Sequence, residues 1–277
     1  YRVGGPAARF VRPVNIAELE RVALAVTTAA DVGGALPVLV IGRGSNLLVA
    51  DRGFGGLAIQ LGMGFEEIAI DGDVVLAGGA TSLPVAARLT VARGLEGFEW
   101  AVGVPGSIGG AVRMNAGGHG SDMAAALVSA TTVDLQTGAT GTRSVEDLAL
   151  GYRTSTVTSS EVVVAAELRL IVGERSRGEE KLAEVVRWRR ANQPGGHNAG
   201  SVFANPPGDS AGRLVDTAGG RGLRIGSAEV SVRHANFIQA DEGGSAEDVA
   251  RLMAEVARLV EEVHGVRLEP ETVLVGF

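Results

Sequence analysis

The sequence predicts an α+β protein in two parts that divide near residue 173. Before that point, short β-branched segments alternate with glycine turns, and residues 161–172 have the near-continuous apolar character of a buried strand. After it, two long helical patterns dominate, over residues 177–193 and 245–265. No internal repeat and no low-complexity linker interrupts either part.

The elements of the first part follow from helix caps, breakers and hydrophobic spacing. Asn15, with Glu18 three residues later, is a helix start, and apolar residues follow it at helical spacing. The other predicted elements, in chain order, are a strand, a glycine turn and a second strand over 36–51, a strand over 73–80, a helix between Ser82 and Gly94, and strands over 128–135 and 139–144.

The second part is predicted to hold two helices and a closing strand. The first helix ends at a Pro-Gly-Gly breaker, residues 194–196. The second opens with a capping box formed by Ser245 and Asp248, and a strand follows it within 266–277. Its predicted apolar face consists of Val249, Leu252, Met253, Val256, Leu259, Val260 and Val263.

Composition limits the classes of function. The 277 residues are 45% hydrophobic and 21% charged, as in an ordinary globular protein. Neither an apolar run of about 18 residues nor a signal-peptide pattern occurs, so we expect a cytoplasmic protein without a membrane partner. Zero cysteines exclude disulfides and thiolate metal sites, and a net charge of −7 argues against nucleic acid as a partner. Because the chain begins at Tyr1, we expect that a short N-terminal segment precedes it.

Arginine supplies almost all the positive charge of this chain. Lys181 is the only lysine among 25 cationic residues, and its helical, acid-flanked setting argues against Schiff-base chemistry. Arginine offers rigid bidentate donors for carboxylates and phosphates instead. A GC-rich genome would produce the same bias, so this composition does not by itself establish a binding function.

The segment IGRGSN, residues 41–46, is the first candidate site. Gly42 and Gly44 after an apolar strand suggest a Rossmann fingerprint, but the third glycine and the helix that should follow are both absent. What remains is a tight turn. Its N–H groups, with Ser45 and Asn46, form either an anion-binding nest or a plain structural loop.

The glycine-rich stretch 103–120 offers the same chemistry on a larger scale. Glycine lets the main chain approach a ligand closely, and its N–H groups then bind phosphate oxygens without a cationic side chain. Pro105 restricts φ beside these glycines and favours one loop shape. The alternative is a turn that lets two sheets pack together. Two such loops in one half of the chain favour a dinucleotide cofactor on a non-Rossmann scaffold.

Seven motifs occur here in the order that they have in one enzyme family. They are YRVGGPA (1–7), GRGSNLLV (42–49), GVPGSIGGAVRMNAG (103–117), GYRTS (151–155), AGSVFANP (199–206), VSVRHANFI (230–238) and LEPE (268–271). In these motifs, which span nearly the whole chain, the sequence resembles the bacterial UDP-N-acetylenolpyruvoylglucosamine reductases. The resemblance implies an α+β flavoenzyme with a vanillyl-alcohol-oxidase (PCMH) type of FAD-binding fold and a separate C-terminal α+β substrate domain.

The resemblance also implies domain limits and a cofactor site. Residues 1–173 would form the FAD-binding domain, with lobes of about 1–61 and 62–173, and residues 174–277 the substrate domain, whose last strand returns to the active site. FAD would bind non-covalently, since His119, just beyond the asparagine motif, is not expected to attach flavin. The implied FAD-binding residues are Gly42, Arg43, Gly44, Ser45, Asn46, Leu47, Gly103, Val104, Pro105, Gly106, Ser107, Gly109, Gly110, Ala111, Asn115, Ala116 and Gly117.

The resemblance further implies three catalytic side chains. An enolpyruvyl ether accepts hydride more readily if a cation holds its carboxylate and stabilises the developing charge, and Arg153 in GYRTS matches that role. Ser201 in AGSVFANP matches the donor of the proton to the neighbouring carbon. Glu271 matches the glutamate that orients or polarises the intermediate, whereas Glu269 is expected to make a structural contact. If the motifs are set aside, Arg153 would be interpreted as part of a surface ion pair and Ser201 as a turn residue.

Substrate contacts are implied in the second part of the chain and beside Arg153. The residues that match them are Tyr152, Arg190, Gln193, Asn205 and His234, the last of which is otherwise a histidine at the edge of the core. Many family members carry a lysine toward the UDP diphosphate where Asn192 stands here, so Arg189 or Arg190 would supply that charge. Residues 171–180 are too few for the tyrosine-bearing insertion of one subgroup, so we expect the subgroup with the more open pocket.

These expectations describe one reaction. The enzyme would take hydride from NADPH onto FAD and pass it to UDP-N-acetylglucosamine enolpyruvate, forming UDP-N-acetylmuramate for peptidoglycan synthesis. Both substrates would use one site in turn, and we expect a monomer without a metal. An FAD oxidase or dehydrogenase acting on another alcohol is one alternative, and oxygen would reoxidise its flavin rapidly. A non-catalytic UDP-sugar-binding protein with a degenerate flavin site is the other, and it would be colourless.

Overall fold

Helices and short strands alternate along the chain in the computed structural model, which describes residues 1–34 and 36–277. The helices are α1 (Ile16–Gly33), α2 (Leu83–Ala92), α3 (Ile108–Met114), α4 (Val145–Leu148), α5 (Arg175–Asn192), α6 (Ala211–Thr217) and α7 (Ala246–His264). The strands are β1 (Ala7–Val11), β2 (Val38–Val40), β3 (Leu47–Val49), β4 (Phe54–Ile59), β5 (Ile68–Asp71), β6 (Val74–Gly78), β7 (Leu95–Glu96), β8 (Gly117–Gly118), β9 (Ser121–Asp122), β10 (Leu127–Asp134), β11 (Thr140–Ser144), β12 (Glu161–Arg169), β13 (Ile171–Val172), β14 (Arg224–Ile225), β15 (Ala228–Val230), β16 (Ile238–Ala240) and β17 (Val273–Val275).

The chain divides into two compact units. The larger unit consists of Arg9–Gly44 and Gly56–Trp188, and the smaller unit consists of Tyr1–Ala8, Ser45–Gly55 and Arg189–Phe277. The smaller unit therefore takes its residues from three stretches of sequence. The limits 1–173 and 174–277, which were inferred for functional domains, remain a prediction.

A five-stranded antiparallel sheet, in the order β11-β10-β12-β6-β5, forms the centre of the larger unit. Ala166 of β12 lies opposite Ala130 on one neighbouring strand and opposite Ala77 on the other. These small buried side chains belong to the core on which α3 packs. A Cβ on Gly109 in α3 would lie only 2.9 Å from the carbonyl oxygen of Val163, so the helix approaches the sheet more closely than another residue would permit.

Helix α1 covers the second core of the larger unit. Its buried residues Leu19, Ala23 and Val26 pack with Ile59 of β4. β4 lies between β1 and β2, and β2 and β4 run parallel. The strand predicted at the start of 36–51 is therefore confirmed as β2.

The predicted start of α1 is also confirmed. The Asn15 side-chain oxygen accepts a hydrogen bond from the N–H of Glu18 at 2.9 Å, which satisfies one of the helix donors that lack a partner within the helix. The Glu18 carboxylate accepts from the N–H of Val14 at 2.8 Å. The side chains of Asn15 and Glu18 thus each accept a hydrogen bond from an N–H at the start of the helix.

The smaller unit is built around α7 and a sheet of β14, β15 and β16. Leu252 and Val256 of α7 are buried in one core with Val230 and Ile238 of the sheet. In the same unit, β17 runs parallel to β3 in the register Val273 opposite Leu47. The closing strand is confirmed, although it is only three residues long, Val273–Val275.

The structure corrects two details of α7. Ser245 accepts from the N–H of Asp248 at 3.2 Å, as predicted, but the Asp248 carboxylate accepts from the N–H of Ser227 at 2.7 Å and does not complete a capping box. The predicted apolar face also ends early, because Val263 is 53% exposed and Leu259 only half-buried. Ser245 therefore caps the helix alone, a tertiary contact occupies the Asp248 carboxylate, and the last helical turn faces solvent.

Two features discussed from the sequence are membrane-spanning helices and metal-ligand clusters. None of the helices in residues 1–34 and 36–277 combines the length and the apolar character needed to cross a membrane. Within those same residues, no three histidine or carboxylate side chains lie together as metal ligands would.

Candidate active site

The two glycine stretches of the sequence meet inside the larger unit. After β2, Ile41 donates its N–H to the carbonyl of Ile59 at 2.8 Å, and the turn 42–44 follows. A Cβ on Gly42 would lie 2.7 Å from Ser107 Oγ, so the absence of a side chain at residue 42 allows the contact with the second stretch. Gly44 has a φ of +69°, a left-handed conformation that favours glycine.

A cavity of about 360 Å³ lies in the larger unit where these stretches meet. Its walls include Gly42, Arg43, Gly79, Ser107, Gly109 and Gly110. Arg12 and Arg113 also line it, and they give the cavity positive charge beside the carboxylate of Glu161. Bare main chain and arginine side chains are both groups that bind phosphate.

Backbone donors in this region are available to a ligand. Among the described residues, the N–H groups of Gly42, Arg43 and Gly44 donate to no protein acceptor. The hydroxyl of Thr81, next to Gly79 and Ala80 in sequence, is buried and likewise has no partner among the described residues. Buried polar groups in proteins are nearly always hydrogen-bonded, so these groups fit a bound ligand with phosphate and hydroxyl oxygens. The residues present therefore fit FAD.

Gln60 orients the first glycine turn, and sequence analysis missed it. Its side-chain amide donates to the carbonyl of Gly42 at 2.8 Å, and the guanidinium of Arg12 donates to its Oε1. In a planar trans peptide the C=O and N–H point in opposite directions, so this bond turns the N–H of Arg43 away from Gln60. No motif marks Gln60 in the sequence, since its role depends on strand β4 ending beside the turn.

The second glycine stretch enters α3 through a capped turn. Ser107 caps the helix, and its hydroxyl accepts from the N–H of Gly110 at 3.4 Å. At the other end, Asn115 is buried with a φ of +38°. Its amide donates to the carbonyl of Gly151 at 2.9 Å and to the Asp122 carboxylate at 3.1 Å. Asn115 thus holds the shape of the stretch through protein contacts.

Arg153 lies against that same stretch. Its guanidinium donates to the carbonyl of Gly117 at 3.2 Å and, at 3.5 Å, to that of Asn115. It also lies over the ring of Tyr152, with 5.1 Å to the centroid. Arg153 has a φ of +57°, and such strain persists where the surrounding structure enforces it, often at functional sites. The larger unit therefore joins the predicted carboxylate-binding arginine to the predicted flavin segment.

In the smaller unit, main-chain bonds bring the segments of Ser201 and Glu271 together. The N–H of Glu271 donates to the carbonyl of Val202 at 2.8 Å, and the N–H of Ala204 donates to that of Glu269 at 2.9 Å. The two segments therefore run antiparallel, with Ser201 next to the residue that binds Glu271. Asn46, from the first glycine motif, donates its amide to the carbonyl of Glu271 at 2.9 Å.

The two carboxylates of LEPE have different surroundings. The side chain of Glu269 is 73% exposed and lies 3.7 Å from the guanidinium of Arg267, which is itself exposed. Such exposed pairs contribute little to stability. Glu271 is half-buried, and both its N–H and its C=O are hydrogen-bonded within the smaller unit. These surroundings support Glu271 over Glu269 as the functional carboxylate.

His234 is a half-buried histidine in a tight packing environment. Burial lowers the pKa of His234, and the positive charge of Arg221 lowers it further. Its Nδ1 accepts from the N–H of Asn236 at 3.2 Å, and its ring meets that of Phe237 edge-on at 4.8 Å. These contacts favour a neutral imidazole that carries its proton on Nε2, a donor suited to an oxygen of a ligand.

The remaining predicted substrate residues lie in two places of the smaller unit. Asn205 accepts from the N–H of Ala211 through its side-chain oxygen at 3.0 Å, at the start of α6. Gln193 follows α5, and its buried Oε1 has no partner among the described residues. Arg190 is exposed, whereas Arg189 is half-buried, and burial lowers the pKa of Arg189. Of the two candidate cations, Arg189 is the one with a desolvated charge.

Two family models match the chain in succession. Residues 7–142 match an FAD binding domain, and residues 192–275 match the C-terminal domain of UDP-N-acetylenolpyruvoylglucosamine reductase. The predicted α+β fold, with an FAD-binding domain of the vanillyl-alcohol-oxidase type and a separate C-terminal domain, is confirmed.

Relatives match over the full length of the chain. A UDP-N-acetylenolpyruvoylglucosamine reductase from Rubrobacter xylanophilus is 40% identical, covering 100% of this chain and 91% of its own length. That from Syntrophotalea carbinolica is 42% identical over 100% of this chain and 90% of its own. The crystal structure of the Thermus caldophilus reductase superposes with a TM-score of 0.82 at 34% identity, covering 96% of this chain and 91% of that one. The chain therefore belongs to the UDP-N-acetylenolpyruvoylglucosamine reductase family.

Proposed function

We propose that this chain is an FAD-dependent oxidoreductase that uses NADPH to reduce UDP-N-acetylglucosamine enolpyruvate to UDP-N-acetylmuramate, a precursor of peptidoglycan. The observation that carries the proposal is the match to reductases of this name along the whole chain. The cavity between the two glycine stretches supports it independently, because its arginines and its N–H groups, which have no acceptor among the described residues, suit a pyrophosphate.

The chemistry that bound FAD would supply is hydride transfer between NADPH and the enolpyruvyl group. The chain supplies the groups that hold FAD without a covalent bond. The N–H groups of residues 42–44 and the arginines of the cavity would bind the pyrophosphate, and the turn at Ser107 would let the main chain approach closely. The segment that ends at Gly117 would line the flavin. His119, beyond that segment, lies edge-on against Trp188 at 5.0 Å between ring centroids.

Arg153 would stabilise the charge that develops on the substrate. Hydride addition to the enolpyruvyl double bond places negative charge on the carbon next to the carboxylate, and that charge spreads onto the carboxylate oxygens. A guanidinium presented to those oxygens stabilises the transition state, and such preorganised groups contribute roughly 3 to 4 kcal/mol. The hydrogen bonds from Arg153 to the carbonyls of Asn115 and Gly117 would hold it ready before substrate arrives.

Ser201 and Glu271 would complete the reaction. Ser201 would donate its hydroxyl proton to the carbon beside the carboxylate, and Glu271 would orient or polarise the intermediate. Their adjacency in the smaller unit supports this division of roles, since one main-chain bond joins Glu271 to the residue after Ser201. Tyr152, Arg190, Gln193, Asn205 and His234 would contact the UDP-sugar.

The state and location of the enzyme extend the proposal. A monomer would contain every residue named here, so no second copy is required. A cytoplasmic location suits a chain without cysteine, and a net charge of −7 does not favour nucleic acid or a membrane surface as a partner. Size-exclusion chromatography with light scattering would measure the state directly.

An anaerobic titration followed by absorbance tests the reaction. NADPH should bleach the yellow FAD-loaded protein, and UDP-N-acetylglucosamine enolpyruvate should then restore the colour. A protein that bleaches with NADPH but ignores the enolpyruvyl substrate would contradict the proposal and point to an oxidase or dehydrogenase. A colourless protein that FAD cannot reconstitute would contradict the assignment of the glycine stretches.

A further inference from the structure

Asn46 makes two contacts with the segment that carries Glu271. Its side-chain Nδ2 donates to the carbonyl of Glu271 at 2.9 Å across 225 positions of sequence, and its own carbonyl accepts from the N–H of Val273 at 3.0 Å. The contact continues as parallel strand pairing, with Val273 opposite Leu47. Both partners belong to the smaller unit.

The backbone of Glu271 is consequently held on both sides. Its N–H donates to the carbonyl of Val202 at 2.8 Å, and its C=O accepts from Asn46. With both peptide groups fixed, the direction of the Cα–Cβ bond is fixed as well. Asn46 acts on this backbone through its side chain, whereas Val202 acts through its main-chain carbonyl.

We propose that Asn46 is a positioning residue that aims the carboxylate of Glu271 through the peptide between residues 271 and 272. The proposal rests on the role proposed above for Glu271. It differs from an assignment of Asn46 to FAD alone, because the amide donor seen here is engaged by the protein. The same hydrogen bond helps to hold the short strand β17 against β3. It joins Asn46, directly before β3, to Glu271, just upstream of β17.

The chemistry of residue 46 can be varied one atom at a time. Asn46→Asp keeps the size but replaces the amide donor by a carboxylate oxygen, which would face the carbonyl of Glu271 with no hydrogen to share. Asn46→Gln keeps the amide donor on a side chain longer by one methylene. If the hydrogen bond does the positioning, the glutamine variant should retain more activity than the aspartate variant.

The test separates the two half-reactions by anaerobic stopped-flow absorbance of FAD-loaded enzyme. We expect Asn46→Asp to slow reoxidation by UDP-N-acetylglucosamine enolpyruvate by about 10- to 100-fold, since small displacements of a catalytic group cost factors of this order. Reduction by NADPH should stay within about twofold of wild type. In the Glu271→Gln background, Asn46→Asp should add little, because residues that act through each other are not additive.

Controls keep the result interpretable. Gln239→Glu removes another amide donor of the smaller unit, bonded to the carbonyl of Gly195 at 2.9 Å, and should leave both half-reactions unchanged. Circular dichroism and flavin content establish that each variant is folded and loaded. If Asn46→Asp does not fold, the comparison of Asn46→Gln with wild type, alone and with Glu271→Gln, gives the same test of non-additivity.

Three outcomes would overturn the positioning role. They are normal reoxidation by Asn46→Asp, equal losses in the aspartate and glutamine variants, and full additivity with Glu271→Gln. Weakened FAD binding with normal reoxidation of the loaded enzyme would assign Asn46 to the cofactor instead. Failure of the proposed function is distinct, since wild-type enzyme would then not be reoxidised by the enolpyruvyl substrate at all.

Discussion

The N–H of Glu271 donates to the carbonyl of Val202 at 2.8 Å, so the LEPE segment lies beside the residue that follows Ser201. In sequence, 69 positions separate Glu271 from Val202, with α6 and α7 between them, and no local pattern predicts the contact. Because of this bond, a shift of the segment that carries Glu271 would also shift the segment that carries Ser201.

Ser201→Ala should disable one half-reaction only. Without a hydroxyl at residue 201 the carbon beside the carboxylate would lose its proposed proton donor, and general acids contribute about 100- to 10,000-fold. Reoxidation of the reduced enzyme by the enolpyruvyl substrate should fall by that factor, while reduction by NADPH stays within about twofold. Anaerobic stopped-flow absorbance measures both. Ser159→Ala, at an exposed position, is the control, and equal behaviour of the two variants would remove Ser201 from the mechanism.

Arg153→Gln should lower kcat far more than it raises KM for the enolpyruvyl substrate. The variant keeps a polar side chain at the same strained backbone position but loses the charge proposed to stabilise the transition state, an effect worth about 100- to 1,000-fold. Steady-state kinetics with NADPH in excess measures the effect. Arg169→Gln removes an exposed arginine 3.9 Å from Asp73 and should be neutral. A change confined to KM would make Arg153 a binding residue instead.

Gln60→Leu should weaken FAD binding without unfolding the protein. It removes the hydrogen bond to the carbonyl of Gly42, and the turn 42–44 then loses its fixed orientation. One hydrogen bond contributes about 0.5 to 1.5 kcal/mol, so the Kd for FAD should rise by about 2- to 10-fold. Flavin fluorescence on titration of the apoprotein measures the Kd. The same substitution at Gln136, on an exposed turn, is the control. An unchanged Kd would mean that the turn holds its shape without Gln60.

Lys181→Met should lower the melting temperature by a few degrees near neutral pH. The ammonium group lies 3.1 Å from the Glu96 carboxylate and 3.3 Å from that of Glu99, which is buried at the start of the segment leading to the glycine-rich stretch. The hydrogen bond from Lys181 is the main reason that the pKa of Glu96 is lowered, and the same bond raises the pKa of Lys181. The substitution removes the ammonium group from between two neighbouring carboxylates, of which Glu96 keeps an ion pair with Arg177 at 3.7 Å.

The pH dependence of that effect has a definite sign. Because the folded state lowers the pKa of Glu96, its contribution to stability is present above its ordinary value of 4.5 and is lost as pH falls through the folded value. The raised pKa of Lys181 makes its contribution present below 10.5 and lost at higher pH. The gap in melting temperature should be widest between these values and should close in acid. Calorimetry as a function of pH checks this, with Arg175→Met on the same helix as control, and a gap that persists at pH 3 would attribute the loss to packing.

Some of this fold could be predicted from local signals. Helices α2, α5 and α7 and the start of α1 are confirmed within a few residues, because caps and apolar spacing depend on neighbouring positions in the sequence. Strand partners were not predictable in the same way. The strands within 36–51 are consecutive in sequence, yet β2 pairs with β4 and β3 with β17, because pairing depends on which buried edge is available after the whole chain has folded.

The candidate site, like the fold, was predictable from local sequence patterns only in part. Motif order identified the family, and with it FAD and the chemistry, because each motif is a short local pattern. No local pattern predicts the hydrogen bonds from Gln60 to Gly42 and from Asn46 to Glu271. The role of a single amide side chain depends on which acceptor the fold brings next to it. Asp248 is a similar case, because its carboxylate accepts from the N–H of Ser227 instead of completing the predicted capping box.

The sequence by itself determined the α+β class, the principal helices, the family and the residue types available for catalysis. Only the tertiary structure decided that Ser107 packs on Gly42, that Arg153 lies on the carbonyls of Asn115 and Gly117, and that Asn46 and Val202 hold the two sides of Glu271. The physical reason is the sequence separation over which each kind of interaction acts. Propensity, capping and motif chemistry act over a few residues, whereas hydrogen bonds and close packing select their partners from whatever distant segments the fold brings within about 3 Å.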